Sequence, residues 1–329
     1  MCVPGTAMSR YINFYTDFAF KKIFGTEANK DLLISFLNAL LELENDKEIV
    51  DLTYLNTEQL GKNFSERRAI YDVYCQTREG GRFIVEMQNA KQDNFKDRSI
   101  YYSSFAIQEQ GKKGSKKLSW DYKLSPVYVI GILNFVMDET EKSTDKVITK
   151  VSLKDDDNRE FSDRLHFFFL EMPKFRKEES ELSTSIDKWL YVIKNLNRLQ
   201  DKPAALTEGI FKKLFEVAEI AAFSKNERYD YEENLKNYLD WINVMTTAKN
   251  EGIVEGRAEG RAEGRAEGIA EGERIGMQKG EAIGIQKGEL AMLTKLVLAK
   301  KGKGINASKI AELLDVDIKL VEEILNGQE

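Results

Sequence analysis

Over residues 69–88 the chain alternates polar and apolar positions twice. Ile70, Asp72 and Tyr74 fall on one side of an extended chain, and Tyr71, Val73 and Cys75 on the other. After Glu79-Gly80-Gly81 the alternation resumes, with Phe83, Val85 and Met87 on one face and Ile84, Glu86 and Gln88 on the other. Two β-rich runs around a glycine turn predict a hairpin. A three-residue loop at 79–81 would set Asp72 opposite Gln88, with Glu86 one pleat away on the same face.

The flanking pattern supplies a sheet and its cover. Leu32, Leu33, Phe36, Leu37 and Leu40 give a helical period over 29–43. A short strand is expected at 49–55. A helix is expected at 95–110, packing through Phe95, Ile100, Tyr101, Phe105 and Ile107, with Arg98 and Tyr102 one turn apart. The run 127–135 is almost continuously apolar, which predicts a strand buried on both faces of a parallel or mixed sheet. Strands at 147–153 and 165–170 follow. From residue 183 the pattern is helical: Ile186, Leu190, Ile193 and Leu196 form one stripe, Phe211, Leu214, Phe215 and Ala218 a second, and Leu235, Tyr238 and Ile242 a third. The fold class is therefore α/β, a mixed sheet flanked by helices, followed by a helical unit and a glycine-repeat tail.

In that tail ten glycines recur at every fourth residue, from Gly252 to Gly288, around the repeat Ala-Glu-Gly-Arg. Glycine costs a lone helix about 1 kcal/mol per residue against alanine. Glu255, Glu259 and Glu263 form a like-charge row, and Arg257, Arg261 and Arg265 another, each mildly destabilising in isolation. Two readings stay open: a stalk in which a second copy sets a Glu row against an Arg row across closely approaching backbones, or a linker of variable length. The ends of the chain are punctuated too. Residues 1–9 read as a leader, and 289–329 as a helical cap, with a helix at 289–300 stopped by Gly302 and Gly304, Ser308 capping a second and Asp317 a third.

Composition narrows the chemistry. The 329 residues are 42% hydrophobic and 32% charged, enough for a sizeable core with much exposed helix. The net charge of −6 argues against binding nucleic acid by bulk charge, though not against a local basic groove. Two cysteines, Cys2 and Cys75, and one histidine, His166, exclude a zinc cluster and suit a reducing cytoplasm. His166, before three phenylalanines, reads as a strand residue. Asp155-Asp156-Asp157 lacks the spacing of a ligand set and reads as a turn. No apolar run is long enough to span a bilayer.

That leaves the hairpin. Two carboxylates converging on a partly apolar face repel each other and lose hydration unless a cation sits between them. Oxygen ligands suit Mg²⁺ or Mn²⁺. Asp72, the hairpin and Glu86-Met87-Gln88 resemble the D…(D/E)xK core of restriction-endonuclease-like proteins. With 16–25, Thr-Asp-Phe-Ala-Phe-Lys-Lys-Ile-Phe-Gly, the chain resembles more narrowly the recombination-promoting nucleases and putative transposases of the PD-(D/E)XK group, in which glutamine often replaces the motif lysine. The resemblance implies a nuclease-like core over 10–175, then a helical unit over 176–249, the repeat over 250–288 and the cap. It implies a Mg²⁺- or Mn²⁺-dependent endonuclease acting on DNA, with Asp72 and Glu86 as metal ligands and Gln88 positioning water or phosphate. Asp17 is either a third acidic ligand or simply the partner of Lys21 four residues on. Lys21, Arg67, Arg68, Arg98, Lys112, Lys113, Lys116 and Lys117 are candidate DNA contacts. The expected alternative is a catalytically silent nuclease fold serving as an oligomeric DNA-binding or scaffold protein.

Overall fold

The computed structural model describes residues 9–59, 69–92, 94–111, 123–137 and 145–327. The chain forms two compact units, Met1–Asn243 and Val244–Glu329. Among the described residues the first unit opens with helices α1 (Asp17–Phe24) and α2 (Lys30–Leu41). The strands β1 (Leu52–Tyr54), β2 (Glu58–Gln59), β3 (Ala69–Ile70), β4 (Val73–Thr77) and β5 (Arg82–Gln88) follow. Helix α3 (Phe95–Gln110) leads to β6 (Val127–Leu133), β7 (Ile148–Lys154) and β8 (Glu160–Glu171). Helices α4 (Ser185–Asn195) and α5 (Gly209–Ala218) precede the long helix α6 (Lys225–Lys301).

Six strands form one mixed sheet in the order β1-β4-β5-β6-β8-β7, while β2 and β3 pair separately. β5, β6 and β8 run parallel, and β4 and β7 are antiparallel to their neighbours. β6 at the centre is buried on both faces, as its apolar run requires. Val129 and Leu133 pack toward Phe95 of α3; Ile130 and Ile132 enter the larger core on the opposite face.

That larger core also absorbs the helices beyond residue 176. Trp189 lies 5.7 Å from the Phe24 ring and 5.8 Å from Phe36, and Val192, Phe211 and Leu214 join the same cluster. The stripes that the sequence sets apart as a helical unit over 176–249 thus complete the first unit, because α1 and α2 each have a second apolar side to cover.

α3 packs differently from its pattern. Ile100 and Tyr101 are exposed, and the buried face is Phe95, Ser99, Ser103 and Ala106. Small residues let the helix approach the sheet, and two serines return their hydroxyls to the helix: Ser99 Oγ donates to the Phe95 carbonyl at 2.9 Å, and Ser103 Oγ to that of Ile100 at 2.7 Å. A hydroxyl satisfied in this way can be buried at little cost.

In the second unit, α6 runs without interruption through the glycine repeat. α7 (Ala307–Leu314) and α8 (Ile318–Asn326) follow, with Val297, Ile310, Ala311 and Val321 as a small core. Asp317 caps α8 as expected, but Asn306, not Ser308, caps α7, its side chain accepting from Lys309 N at 2.9 Å. Among the described residues no helix is long and apolar enough to cross a membrane.

Candidate active site

The hairpin turn is one residue earlier than the pattern suggested, at 78–80. Thr77 N donates to the Gly81 carbonyl at 2.8 Å and Gly80 N to the Thr77 carbonyl at 3.1 Å. Gly80 has φ +93°, and a Cβ there would meet Ser125 Oγ at 2.7 Å, so only glycine fits. With the turn so placed, Val73 pairs Val85 and Gln76 pairs Arg82. Continued by one step, this register brings Asp72 opposite Glu86 rather than Gln88. The two carboxylates are closer than the sequence alone implied.

Asp72 itself sits in the bend between β3 and β4. The break returns Tyr71 to the face of Tyr74, 5.1 Å ring to ring, and so ends the alternation predicted for 70–75. It also frees the Asp72 backbone from a regular ladder. Asp72 N donates to Glu86 Oε1 at 3.3 Å, and Met87 N donates to Asp72 Oδ2 at 2.8 Å. The carboxylates are thereby fixed across adjacent strands by backbone N–H groups.

Glu86 is buried, with 5% of its surface exposed. Its Oε2 accepts from Gln88 Nε2 at 3.2 Å and from Arg98 Nη2 at 3.3 Å. Arg98 also stands 4.8 Å from the centre of the Tyr102 ring, so Tyr102 orients the guanidinium. One arginine does not neutralise two carboxylates. Burial, and then the neighbouring Asp72, push the Glu86 carboxyl up to about 8 against the pull of Arg98. Burial raises Asp72 as well, opposed by its bond from Met87 N and reinforced by Asp17. An oxygen-donor pair, one member buried and one half-buried, that resists full ionisation has the chemistry of a site for a hard divalent cation.

Asp17 and Lys21 stand at the edge of this field. They pair with each other at 2.8 Å, and both are more than half exposed. Their charges act on Asp72 in opposite senses. Of Asp17's two expected roles, partnership with Lys21 is present in the geometry. Arg67, Arg68, Lys112, Lys113, Lys116 and Lys117 lie outside the described residues.

Sequence reasoning passed over Gly131 and the asparagines that end two strands. Gly131 pairs with Glu86, and a Cβ on it would meet Phe95 Cζ at 3.1 Å and Phe169 Cδ1 at 3.3 Å. A bare backbone in the central strand lets α3, and with it Arg98, close on the carboxylates. Asn134 N donates to the Gln88 carbonyl at 2.9 Å, and Asn89 Nδ2 to that of Tyr15 at 2.8 Å. An isolated asparagine just past each of two apolar strands was the signal in the sequence.

The acidic triplet 155–157 is a turn, as expected. Its carboxylates lie within 4.8 Å of one another, but Asp155 Oδ1 accepts from Asp157 N and Arg159 N, and Arg159 pairs with Asp155 at 3.0 Å and Asp157 at 2.7 Å. His166 lies in β8, stacked on Tyr128 at 4.9 Å.

A mixed sheet with one carboxylate on β5 and a second in the bend that opens its antiparallel neighbour β4 defines a nuclease-like α/β class. A family model described as PD-(D/E)XK nuclease family transposase matches residues 14–248, and the chain belongs to that family. No curated protein and no solved structure matches the chain.

Proposed function

We propose that this protein is a metal-dependent DNA endonuclease that hydrolyses phosphodiester bonds through the Asp72–Glu86 centre. The reading is carried by one observation: the buried Glu86 and the half-buried Asp72 are held together by backbone hydrogen bonds although a single arginine cannot balance them. In this reading Asp72 and Glu86 hold Mg²⁺ or Mn²⁺. When bound, such an ion would act as a Lewis acid toward a phosphoryl oxygen.

The remaining groups position the substrate. Gln88 Nε2 is engaged by Glu86, while its side-chain carbonyl accepts no hydrogen bond among the described residues and can hold a water proton. Arg98 lies beside Glu86 and can neutralise charge developing on phosphate. Lys21, on the exposed face of α1, can contact the backbone phosphates of DNA, and Asp17 tunes Asp72 through its charge.

The glycine repeat serves self-association in the same proposal. A Cβ at any of the ten glycines Gly252, Gly256, Gly260, Gly264, Gly268, Gly272, Gly276, Gly280, Gly284 and Gly288 would meet nothing within 4 Å. Nothing among the described residues of the single chain therefore needs them. Arg257, Arg261 and Arg265 make no ion pair among the described residues, so they are available to a Glu row of a second copy.

Supercoiled plasmid incubated with Mg²⁺, with Mn²⁺ and with EDTA tests the reaction, beside Asp72→Ala and Glu86→Ala. Metal-dependent nicking lost in both variants is the expected result. A folded protein that nicks with neither metal would favour the silent scaffold, which the uncharged Gln88 at the motif-lysine position makes the second reading. Nicking that survives both substitutions would place the chemistry elsewhere.

A further inference from the structure

Past the end of β6, within the first unit, lies a polar cavity of about 230 Å³ that the proposed reaction does not use. Its walls include Asn13, Tyr15, Asn134, Lys194, Arg198 and Tyr238, and no carboxylate among the described residues lines it. Arg198 makes no hydrogen bond or ion pair among the described residues. Lys194 donates to the Phe175 carbonyl, a neutral partner. Burial, and after it the positive charges of Arg198 and Arg176, hold the Lys194 ammonium below its ordinary range. Two cations are thus brought toward one cavity whose described lining holds no anion, the Glu178 carboxylate acting on Lys194 only weakly from outside it.

The neutral walls are donors as well. Tyr238 OH accepts from Asn134 Nδ2 at 3.3 Å, which leaves its own hydrogen to give. Tyr15 is buried, and its hydroxyl makes no hydrogen bond among the described residues. Both phenols feel Arg198, and desolvation keeps both protonated far above neutral pH. An arginine, a lysine and two phenolic hydroxyls around a space of this size suit a tetrahedral oxyanion with several acceptor oxygens.

We propose that this cavity is a phosphate-binding site. Its position adds a link to the centre. Asn134 bonds Tyr238 on the cavity side, the Gln88 carbonyl at 2.9 Å on the other, and Asn89 at 3.4 Å between them. A phosphate held by Arg198 and Lys194 would be read out on the strand end that carries Gln88. The phosphate comes either from a nucleic-acid strand or from a free phosphate monoester. The site itself does not depend on the nuclease reading; only the nucleic-acid source does.

The test is calorimetric titration of the full chain with inorganic phosphate, repeated with Arg198→Met, Lys194→Met and Asp72→Ala. Arg198 is exposed, so its replacement leaves the fold intact even if loss of the Lys194–Phe175 bond does not. Saturable binding is expected, weakened about tenfold or more by Arg198→Met and unchanged by Asp72→Ala. No saturable binding, or equal binding in wild type and Arg198→Met, overturns the proposal. Competition then separates the sources. Displacement of phosphate by a short DNA duplex identifies a strand phosphate. Displacement by a deoxynucleoside 5′-monophosphate but not by the duplex identifies a free monoester. A wild-type protein that nicks plasmid but shows no saturable phosphate binding would remove the cavity and leave the metal-centre reading standing.

Discussion

Replacing Glu86 by glutamine should make the metal-free protein more stable in alkali. An ordinary glutamate titrates near 4.3, and in the folded chain this carboxyl is pushed up to about 8 by burial and by Asp72. Between those values the folded protein keeps a proton that the unfolded chain has released. Unfolding then releases a proton, so stability falls as pH rises through the window. At about 1.36 kcal/mol per pH unit, the full cost above pH 8 is on the order of 5 kcal/mol. Glutamine removes that cost but forfeits one acceptor among the bonds from Asp72 N, Gln88 Nε2 and Arg98 Nη2, a loss of about 2 kcal/mol. The net gain at pH 9 is about 3 kcal/mol, or a Tm higher by about 6–10 °C for a unit of this size. At pH 5 wild-type Glu86 is already protonated, and the two proteins should melt within a few degrees of each other. Thermal unfolding followed by circular dichroism in EDTA, from pH 5 to 9, reads the difference directly. A difference independent of pH would refute the argument. Saturating Mg²⁺ at pH 9 should raise the wild-type Tm and leave Glu86→Gln unmoved.

Gln88→Lys should place a cation against Glu86, draw its carboxyl back below 8 and flatten the fall of wild-type stability toward pH 9; an unchanged pH profile of unfolding would sink this. Gly131→Ala should destabilise by about 1–3 kcal/mol through overpacking against Phe95 and Phe169, and should also slow plasmid nicking, because α3 carries Arg98; denaturant unfolding and the nicking assay check both. Arg98→Met should weaken nicking and raise the Glu86 carboxyl further, measured as a loss of Tm that continues to higher pH than in wild type. Gly256→Ala, Gly260→Ala, Gly264→Ala and Gly268→Ala together should strengthen the helix by about 1 kcal/mol each while weakening self-association; sedimentation velocity showing the same mass in wild type and variant would exclude the glycines from the contact.

The sequence by itself determined the elements and the chemical inventory. Period-2 alternation over 69–88 and period-3.6 leucines over 29–43 follow from backbone geometry alone, so β4, β5 and α2 were legible, as was a central strand buried on both faces. The pairing of Asp72 with Glu86-Met87-Gln88 was legible too, since residues two apart on a strand share a face. The exact partner was not. A hairpin register depends on which residue takes the left-handed position, and Gly80 rather than Gly81 takes it. That choice brought Asp72 opposite Glu86. Other matters were decided only by residues distant in sequence. Trp189 belongs to the core of Phe24 and Phe36 because two helix faces needed covering, which no local pattern expresses. α3 turns its serines inward because Gly131 and Phe95 allow the helix close to the sheet. The raised carboxyl of Glu86 has the same origin: burial and the nearness of Asp72 are properties of the assembled sheet.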